Sequence, residues 1–490
     1  MDGPPRVMST QHPDNAVPPF FADGEVVADD DEIQEAYYAY THLGCDEQMW
    51  DFEGKEGDEY AVKKLLSRYG DSFLAAPLGA DRRLTIRGPN PDVEESEAKV
   101  LLEILESIPR SYDAAATFYG EHDHETVAPI HEVIVPMVTD AGQLDAVHDY
   151  YTDLVVGQAD HVVGDRTVAD WVGEFRPERI AVIPLIEDRE SMLRADEIVR
   201  SYLAGRDVDE QRVFLARSDP ALNYGSLSAD LINRVALARL ADLERELDTT
   251  IYPILGAGSA PFRGHLTPET AGDVVAAFPS VETYTAQSAF KYDYPLETVR
   301  EGVATLRDAE RGEPHAIDRE RALAVVDRVA AAYSEQVSRV APLVNRVAEF
   351  VPDRRARKLH VGLFGYSRDV EGDTLPRAIT YTATLYSVGF PPSIMGLSGL
   401  TDDDVAFLED AFPRFFDVLQ AALAYYNPRS LEVVDVPESE VEAALELVSA
   451  DRNETHREAT DAVIDALDRE DGDAVESAVV RAARERQFLG

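Results

Sequence analysis

The chain has 490 residues, and its 93 acidic against 46 basic side chains give a formal net charge of −47 at pH 7. A surface this acidic repels the phosphate backbones of nucleic acids and the headgroups of anionic membranes, so general binding to either is excluded. A hydrophobic content of 45% excludes wholesale disorder and is sufficient for a buried core.

The acidic excess is spread over the whole chain. Such a surface stays soluble at high salt, where the Debye length falls to about 3 Å near 1 M. The single cysteine, Cys45, excludes an intramolecular disulfide and any CxxC metal site. No apolar run reaches the roughly 18 residues that span a bilayer, and no basic region followed by an apolar one opens the chain. We therefore expect a soluble protein of a halophilic cytoplasm.

The first notable stretch is MSTQHPDN at 8–15, which places His12 among polar, turn-forming neighbours. A histidine changes charge near neutral pH, so His12 is a candidate for proton transfer or anion handling. The alternative is a solvated or capping residue. Residues 31–69 then predict helices with a charged face, interrupted near Gly44 and Gly54.

From residue 83 onward, short apolar runs rich in β-branched residues recur between amphipathic helical segments. Most of the runs lack strict alternation, which is typical of strands buried on both faces of a parallel sheet. The predicted strands are 83–88, 132–138, 179–187, 212–219, 250–258, 283–290, 359–368 and 378–386, the last of which would also fit a helix. Eight strands alternating with helices predict a (β/α)8 barrel, with its active site at the C-terminal ends of the strands.

The pattern changes to helices alone from Thr401 onward. We therefore predict an α/β protein with a TIM-type barrel and many additional helices on both sides of it. The expected organisation is a single catalytic domain over 1–490, with an N-terminal helical segment at 1–80, the barrel at 81–400 and C-terminal helices at 401–490.

Charged residues follow most of the predicted strands. They are Arg87, Glu187 with Asp188, Asp219, Arg263, Lys291, Arg368 and Arg377. Two carboxylates at separate strand ends suit a hard divalent cation such as Mg²⁺. Several arginines around them suit a phosphate, because the guanidinium fork matches its oxygens. Together these residues indicate a metal-assisted site for a phosphorylated small molecule.

Each of these residues also has a structural interpretation. A strand-end carboxylate often caps the following helix, and Asp219 before Pro220 fits that role as well. The glycines at 256–258 lack the third glycine of a dinucleotide loop, and Pro261 interrupts the helix that should follow, so a loop that cradles an anion is the better interpretation. The basic run at 354–358 fits a solvated turn in so acidic a chain.

Several longer motifs are distributed over the whole chain. They are MSTQHPDN, EIQEAYYAYTHLGCDEQMWD, ARSDPALNYG, GSAPFRGHL, QSAFKYDYP, LHVGLFGYSRD and LPRAITYTATLY. Together they resemble the archaeal-type phosphoenolpyruvate carboxylases from the first dozen residues to Gly490. The resemblance implies a (β/α)8 barrel with added helices, usually homotetrameric. It also implies that phosphoenolpyruvate and bicarbonate give oxaloacetate and phosphate through carboxyphosphate and an enolate stabilised by Mg²⁺ or Mn²⁺.

The resemblance further implies roles for individual residues. The HP of QHPDN makes His12 the catalytic histidine, and PFRGH makes Arg263 a second catalytic residue. IPLIED and ARSDP make Glu187 and Asp219 the metal ligands. The residues expected to bind substrate are Arg87, Lys291, Arg368 and Arg377. Because His12 lies far upstream of the first predicted strand, we expect the N-terminal segment to fold back over the mouth of the barrel.

The chain departs from the larger bacterial and plant enzymes at three basic positions. Their glycine-rich loop carries a histidine and an arginine where this chain has Leu255 and Ala257, and their SDSxKD lysine falls on Leu222. Other basic residues must then complete the phosphate site, and Lys291 and His265 are the candidates.

Two other functions stay open on the sequence. One is another Mg²⁺-dependent barrel enzyme that handles phosphoenolpyruvate or pyruvate, a phosphotransferase or a lyase. The other is a non-catalytic acidic binding protein. Allosteric effectors, the preferred divalent ion and the subunit interface are not encoded in any motif that we recognise.

Overall fold

Eight parallel strands close into a barrel in the computed structural model, which describes residues 3–55, 57–94, 97–356, 369–370 and 373–490. Numbered in chain order, the barrel strands are β1 Val7–Ser9, β2 Glu47–Asp51, β3 Arg83–Arg87, β4 Glu132–Val135, β5 Ala181–Ile186, β6 Glu210–Ala216, β7 Thr250–Gly256 and β8 Thr283–Ala286. Each pairs with the next, and β1 closes the barrel by pairing Ser9 with Ala286 of β8. The predicted (β/α)8 architecture is confirmed.

Two of the predicted strands need comment. The segment 378–386 is not a strand but lies in a helix, Ala378–Ser387, and the segment 359–368 lies outside the described residues. The two strands that complete the barrel are instead β1 and β2, within the part that we expected to be helical. Both are short, and β2 has two charged ends and a glutamine in its second position, which hid it from a search for apolar runs.

Twenty α-helices surround the barrel or extend it within the described ranges. They are α1 Asp30–Tyr38, α2 Ala61–Arg68, α3 Gly70–Ala75, α4 Ala98–Gly120, α5 Ala141–Asp149, α6 Val168–Val172, α7 Arg189–Met192, α8 Ala195–Leu203, α9 Ser218–Tyr224, α10 Ser226–Glu246, α11 Ala271–Ala277, α12 Ser288–Tyr292, α13 Leu296–Asp308, α14 Arg319–Ala348, α15 Ala378–Ser387, α16 Asp402–Ala411, α17 Arg414–Leu423, α18 Glu438–Leu445, α19 Glu454–Asp468 and α20 Gly472–Arg486. Two short hairpins, Val162–Val163 with Arg166–Thr167 and Asp369–Val370 with Asp373–Thr374, lie outside the barrel. Within these ranges no helix is both long and apolar enough to cross a bilayer.

The inside of the barrel is layered, because alternate residues of each strand point inward. The middle of the barrel is apolar and contains Met8, Met49, Ile134, Ile183, Leu185, Phe214, Ala216 and Ile254. Below it lies a buried ionic layer, in which Arg212 donates to Glu47 at 2.8 and 2.7 Å and to Glu132 at 2.9 Å. Ile183 and Leu185 of β5 point inward. By the same alternation Glu187 also points inward, and it lies at the open C-terminal mouth.

Candidate active site

A cavity lies at the C-terminal mouth of the barrel. It brings together six of the eight site residues predicted from the sequence, namely His12, Arg87, Glu187, Asp219, Arg263 and Arg377. These residues come from the ends of β1, β3, β5 and β6, from the turn after β7 and from the residue before α15. Their convergence follows from the fold, because the C-terminal ends of parallel barrel strands all open on one face.

His12 follows β1 by three residues and needs no folding back of the N-terminal segment, so that expectation was wrong. The pairing of β1 with β8 carries Thr10, His12 and Asp14 directly over the mouth. The Nδ1 atom of His12 lies 2.9 Å from the Thr10 hydroxyl, and its carbonyl accepts from the Ser288 amide at 3.2 Å. The Asp14 carboxylate accepts from the Ala289 amide at 2.7 Å, which ties the loop to α12.

The two predicted metal ligands both face the cavity. An Oε2 atom of Glu187 accepts from the Met137 amide at 2.8 Å. Asp188, its neighbour, turns away and caps α7 through the Ser191 amide. Asp219 lies in the first turn of α9, and the N-cap residue of this helix is Arg217. Asp219 is therefore not the helix cap that the sequence left open as an alternative.

These two carboxyl groups perturb each other. Burial raises the pKa of Glu187 well above its usual range, and the nearby charges of Asp219 and Glu53 raise it further. Burial also raises the pKa of Asp219, against the lowering effect of the Arg377 guanidinium. A bound divalent cation would relieve the repulsion between these two buried carboxylates.

The donor set fits a hard divalent cation with few protein ligands. No group of three His, Cys, Asp or Glu side chains is arranged as a complete metal site in the described ranges. A Glu and Asp pair matches the way in which Mg²⁺ is bound, by one or two carboxylates with the other positions left to water and substrate oxygens. The residues present therefore fit such an ion.

Glu53 is a site residue that the sequence reasoning missed. It follows β2, is fully buried, and lies between two predicted substrate-binding arginines: Arg87 at 3.1 Å and Arg377 at 3.0 Å. Asp51 of β2 holds Arg87 from the other side through two hydrogen bonds of 2.9 and 2.7 Å. The signal was present, since an acidic residue follows a barrel strand, but that strand was interpreted as helix.

Arg263 is held by four residues around its guanidinium. It donates to Ser218 at 3.0 Å, to Asp14 at 3.2 Å, to the Gly490 carbonyl at 2.8 Å and to Gln287 at 2.7 Å. Four of its five N–H groups therefore have protein acceptors. The arginine binds the loop after β1, α9, the residue after β8 and the last residue of the chain into one wall of the cavity.

Comparison with known proteins decides the family. A sequence model of the family described as phosphoenolpyruvate carboxylase matches residues 4–490. The phosphoenolpyruvate carboxylases of Halobacterium salinarum and Methanothermobacter thermautotrophicus are 64% and 49% identical to this chain, each over 99% of both chains. The chain belongs to the phosphoenolpyruvate carboxylase family. It is accordingly a carboxylase, which agrees with the resemblance described above.

A third relative and one solved structure also match this chain. The phosphoenolpyruvate carboxylase of Pyrococcus abyssi is 47% identical over 434 residues, covering 89% of this chain and 91% of the relative. Among solved structures, an aldolase/citrate lyase family protein from Burkholderia cenocepacia matches with a TM-score of 0.33 and 16% identity, covering 58% of this chain and 89% of that one. Membership of the carboxylase family rests on the sequence matches.

Two of the remaining candidate residues of this carboxylase, Lys291 and His265, lie outside the cavity. Lys291 does not line the cavity, because its ammonium is buried against Glu35 at 2.9 Å and the Thr10 carbonyl at 2.8 Å. His265 lies outside the cavity too, and burial, together with the Arg414 charge, lowers its pKa to about 3. Arg368 lies outside the described residues.

Other basic residues line the cavity of the carboxylase instead. Arg217, Arg354 and Arg355 all contribute to its wall, and each is paired with a carboxylate: Asp230, Glu25 and Glu32 respectively. Arg217 lies inside the segment 212–219 that we predicted as a strand, so it was not counted among the residues that follow one. Arg354 and Arg355 belong to the basic run at 354–358 that we interpreted as a solvated turn, and that interpretation was wrong for them, because both side chains are buried and paired with carboxylates. These three arginines supply positive charge at the cavity, whereas Leu222, Leu255 and Ala257 carry none.

Proposed function

We propose that the chain joins phosphoenolpyruvate and bicarbonate to give oxaloacetate and phosphate at the cavity that contains His12, Glu187 and Asp219. The observation that carries this proposal is the convergence of six independently predicted side chains on one cavity at the mouth of the barrel. The names of the relatives support the same substrates. We also propose the homotetramer and the cytoplasmic location expected from the resemblance and the composition.

Arginines of the cavity would bind the phosphoryl group. Arg87 and Arg377 share Glu53 and so are fixed relative to each other at the cavity, where their positive charge would attract the phosphate oxygens. Glu187 and Asp219 would hold Mg²⁺ or Mn²⁺, which would supply positive charge beside the enolate oxygen when bound. A preorganised arrangement of this kind stabilises the charge that develops as the bond to phosphorus breaks.

The proposed reaction has two stages. A bicarbonate oxygen attacks phosphorus, the bond from phosphorus to the enol oxygen breaks, and carboxyphosphate and the enolate of pyruvate form. His12 then takes the carboxyl proton of carboxyphosphate, which splits into CO₂ and phosphate, and His12 returns that proton to the phosphate. The methylene carbon of the enolate attacks CO₂, and this new carbon–carbon bond gives oxaloacetate.

One assay distinguishes this function from the alternatives. Oxaloacetate is measured by coupled reduction at high salt, with and without bicarbonate and with and without Mg²⁺. We expect formation that requires both. Pyruvate formed without bicarbonate would instead indicate a phosphotransferase or lyase, and the absence of any turnover would indicate a binding protein.

The role of His12 is tested by His12→Asn. This variant should still release phosphate in a bicarbonate-dependent reaction, because the attack on phosphorus does not need the imidazole, while oxaloacetate falls by at least about 100-fold, the usual contribution of a general base. Unchanged oxaloacetate formation would contradict the role that we assign to His12.

A further inference from the structure

A strained turn after β4 holds one of the two proposed metal ligands. The backbone amide of Met137 donates to Oε2 of Glu187 at 2.8 Å. Met137 has a φ of 52°, a left-handed conformation that is uncommon and costly for a bulky side chain. The other described non-glycine residues with positive φ all have polar side chains: Asp29, Asp123, His265, Glu470 and Gln487. A conformation of this kind persists only where surrounding contacts fix it.

Asn90 supplies such contacts. It lies three residues after β3, and only 1% of its surface is exposed. Its side-chain amide donates to the Pro136 carbonyl at 2.8 Å and, at a longer 3.4 Å, to the Met137 carbonyl. The Pro136 carbonyl and the Met137 amide belong to the same peptide group. Asn90 therefore holds the oxygen end of the peptide group whose N–H end holds Glu187.

Asn90 is itself fixed from two sides. Its side-chain oxygen accepts from the Asp92 amide at 3.1 Å, and its backbone amide donates to the Glu94 carboxylate at 3.0 Å. It does not line the cavity, so its side chain is not placed to touch a substrate there. The side chain is oriented toward the turn, and the effect of Asn90 on the site must pass through that turn.

The turn is also tied to β5, the strand that leads to Glu187. The amide of Val138 donates to the carbonyl of Leu185 at 3.0 Å. The peptide group between Pro136 and Met137 thus lies between Asn90 on one side and β5 with Glu187 on the other. Since Arg87 ends β3 and Asn90 follows in the same loop, this contact joins a proposed phosphate-binding segment to the metal side of the site.

We propose that Asn90 is a positioning residue for the divalent cation and acts through the peptide group between Pro136 and Met137. A hydrogen bond to the carbonyl fixes the orientation of this group and polarises its N–H. The N–H in turn holds the Glu187 carboxylate in the orientation that the ion requires, as partners of metal ligands generally do. The inference rests on the proposed function, which places the ion at Glu187 and Asp219.

Binding of Mn²⁺ alone tests this role. Free Mn²⁺ is measured by electron paramagnetic resonance during a titration at fixed KCl, without substrate. Asn90→Ala should raise the Kd by about tenfold or more, which is the usual loss when a partner of a metal ligand is removed. Asn90→Leu has a similar shape without the amide donor and should have the same effect, so it decides if the alanine variant fails to fold. An unchanged Kd would overturn the proposal.

A double-mutant cycle tests the route through the turn. Glycine adopts a φ near 52° without strain, so a Met137→Gly chain depends less on Asn90 to keep this conformation. In that background Asn90→Ala should raise the Kd by less than about threefold. Equal losses in the two backgrounds would show that Asn90 does not act through Met137 and would overturn the proposed route.

Asn427→Ala is the matched control. Asn427 is equally buried, but its amide donates to Thr460 and Asp461 of the C-terminal helices. This variant also loses buried hydrogen bonds, yet its Kd for Mn²⁺ should stay within about twofold of the wild-type value. A loss as large as that of Asn90→Ala would mean that general destabilisation explains both, and would overturn the positioning role.

Turnover gives a second measurement. In Asn90→Ala the KM for Mg²⁺ should rise, while kcat at saturating Mg²⁺ stays within about threefold of the wild-type value. A lower kcat with an unchanged KM for Mg²⁺ would contradict a role in placing the ion. A wild type that fails to bind Mn²⁺ would overturn the proposed metal site together with this inference, whereas equal binding by wild type and Asn90→Ala would overturn this inference alone.

Discussion

Arg87 and Glu53 form an ion pair of 3.1 Å in which the carboxylate is fully buried and is shared with Arg377. Glu53 therefore fixes two proposed phosphate-binding arginines relative to each other. The arrangement makes Glu53 a positioning residue that does not itself need to touch the substrate.

Replacing Glu53 by Gln tests that role. We expect the KM for phosphoenolpyruvate to rise about tenfold or more, with a smaller change in kcat, because the amide cannot balance two guanidinium groups. Loss of one partner of a buried pair should also cost about 3 kcal/mol of stability. Glu178→Gln, which removes an exposed partner of Arg176, is the matched control and should change neither quantity. Unchanged steady-state kinetics in the Glu53 variant would contradict the positioning role.

Metal binding should release protons. Burial and the Asp219 charge raise the pKa of Glu187, and burial raises the pKa of Asp219, so we expect a divalent ion to displace protons as it binds and its apparent affinity to increase with pH. Calorimetric titration with Mg²⁺ in two buffers of different ionisation enthalpy measures the protons released. Asp219→Asn should weaken binding by about tenfold or more, and treatment with a chelator should abolish turnover reversibly.

The matched control for the metal site is Asp188→Asn. Asp188 is adjacent to Glu187 but caps α7, so this variant should keep the metal affinity and change stability by about 1 kcal/mol or less. Equal losses of affinity in the Asp188 and Asp219 variants would mean that neither residue is a specific ligand.

Glu94 should make stability depend on pH. Burial, and then the Glu53 charge, raise the pKa of its carboxyl to about 7. A raised carboxyl pKa means that the folded protein holds a proton that the unfolded chain releases, so this contribution is complete below about pH 4.5 and is lost as the pH rises through 7. Between pH 5.5 and 8 the wild type should lose about 1 to 2 kcal/mol more than Glu94→Gln in urea unfolding.

A control for this titration lies on α4. Glu103 is exposed there, and Glu103→Gln should follow the wild-type pH dependence. If the Glu94 variant also follows it, the carboxyl is not protonated in the folded protein near neutral pH.

The buried ionic layer of the barrel should be sensitive to the loss of its cation. Arg212→Met leaves Glu47 without its cation and Glu132 with only Arg83 at 3.3 Å, and should cost about 3 to 5 kcal/mol. The urea midpoint measures this loss. Adding Glu47→Gln and Glu132→Gln to the same chain should recover much of it, and a triple variant no more stable than the single one would show that packing, and not charge, is lost.

High salt should stabilise the protein. With a net charge of −47, repulsion between carboxylates opposes the compact state, and KCl screens it. The melting temperature should rise steeply below about 1 M KCl and level off above it, once the Debye length approaches 3 Å. Sucrose, which does not screen charge, should give a shallow and linear increase, and an equal response to both would argue against screening as the cause.

The sequence predicted the barrel and most of the cavity because both depend on local patterns. Apolar runs marked β3 to β8, and charged residues directly after several of those strands reached the mouth, as Glu187 and Asp219 do. Glu53 and Asp51 were not predicted as site residues, because β2 carries polar residues on its inward face and was not recognised as a strand. Their burial is satisfied only by partners such as Arg87, which a single segment of sequence does not reveal.

Tertiary context decided the other differences. The segment 378–386 is rich in β-branched and aromatic residues, yet it forms α15, whose buried face packs against α14 and α20. Lys291 follows a strand but is buried against Glu35, so proximity to a strand end alone did not place it in the cavity. Both cases depend on distant parts of the chain.

The contacts of Arg263 have a consequence for synthesis on the ribosome. This side chain joins Asp14 to the carbonyl of Gly490, and β1 pairs with β8. At about 5 to 20 residues per second, roughly 25 to 100 s separate translation of Asp14 from that of Gly490. Until β8 has been made, the edge of β1 that pairs with it is exposed. After that, the wall beside His12 is still incomplete until Gly490 has been made. A nascent chain therefore has no finished catalytic cavity before Gly490 has emerged, and chaperones that shield exposed strand edges should bind it during that interval.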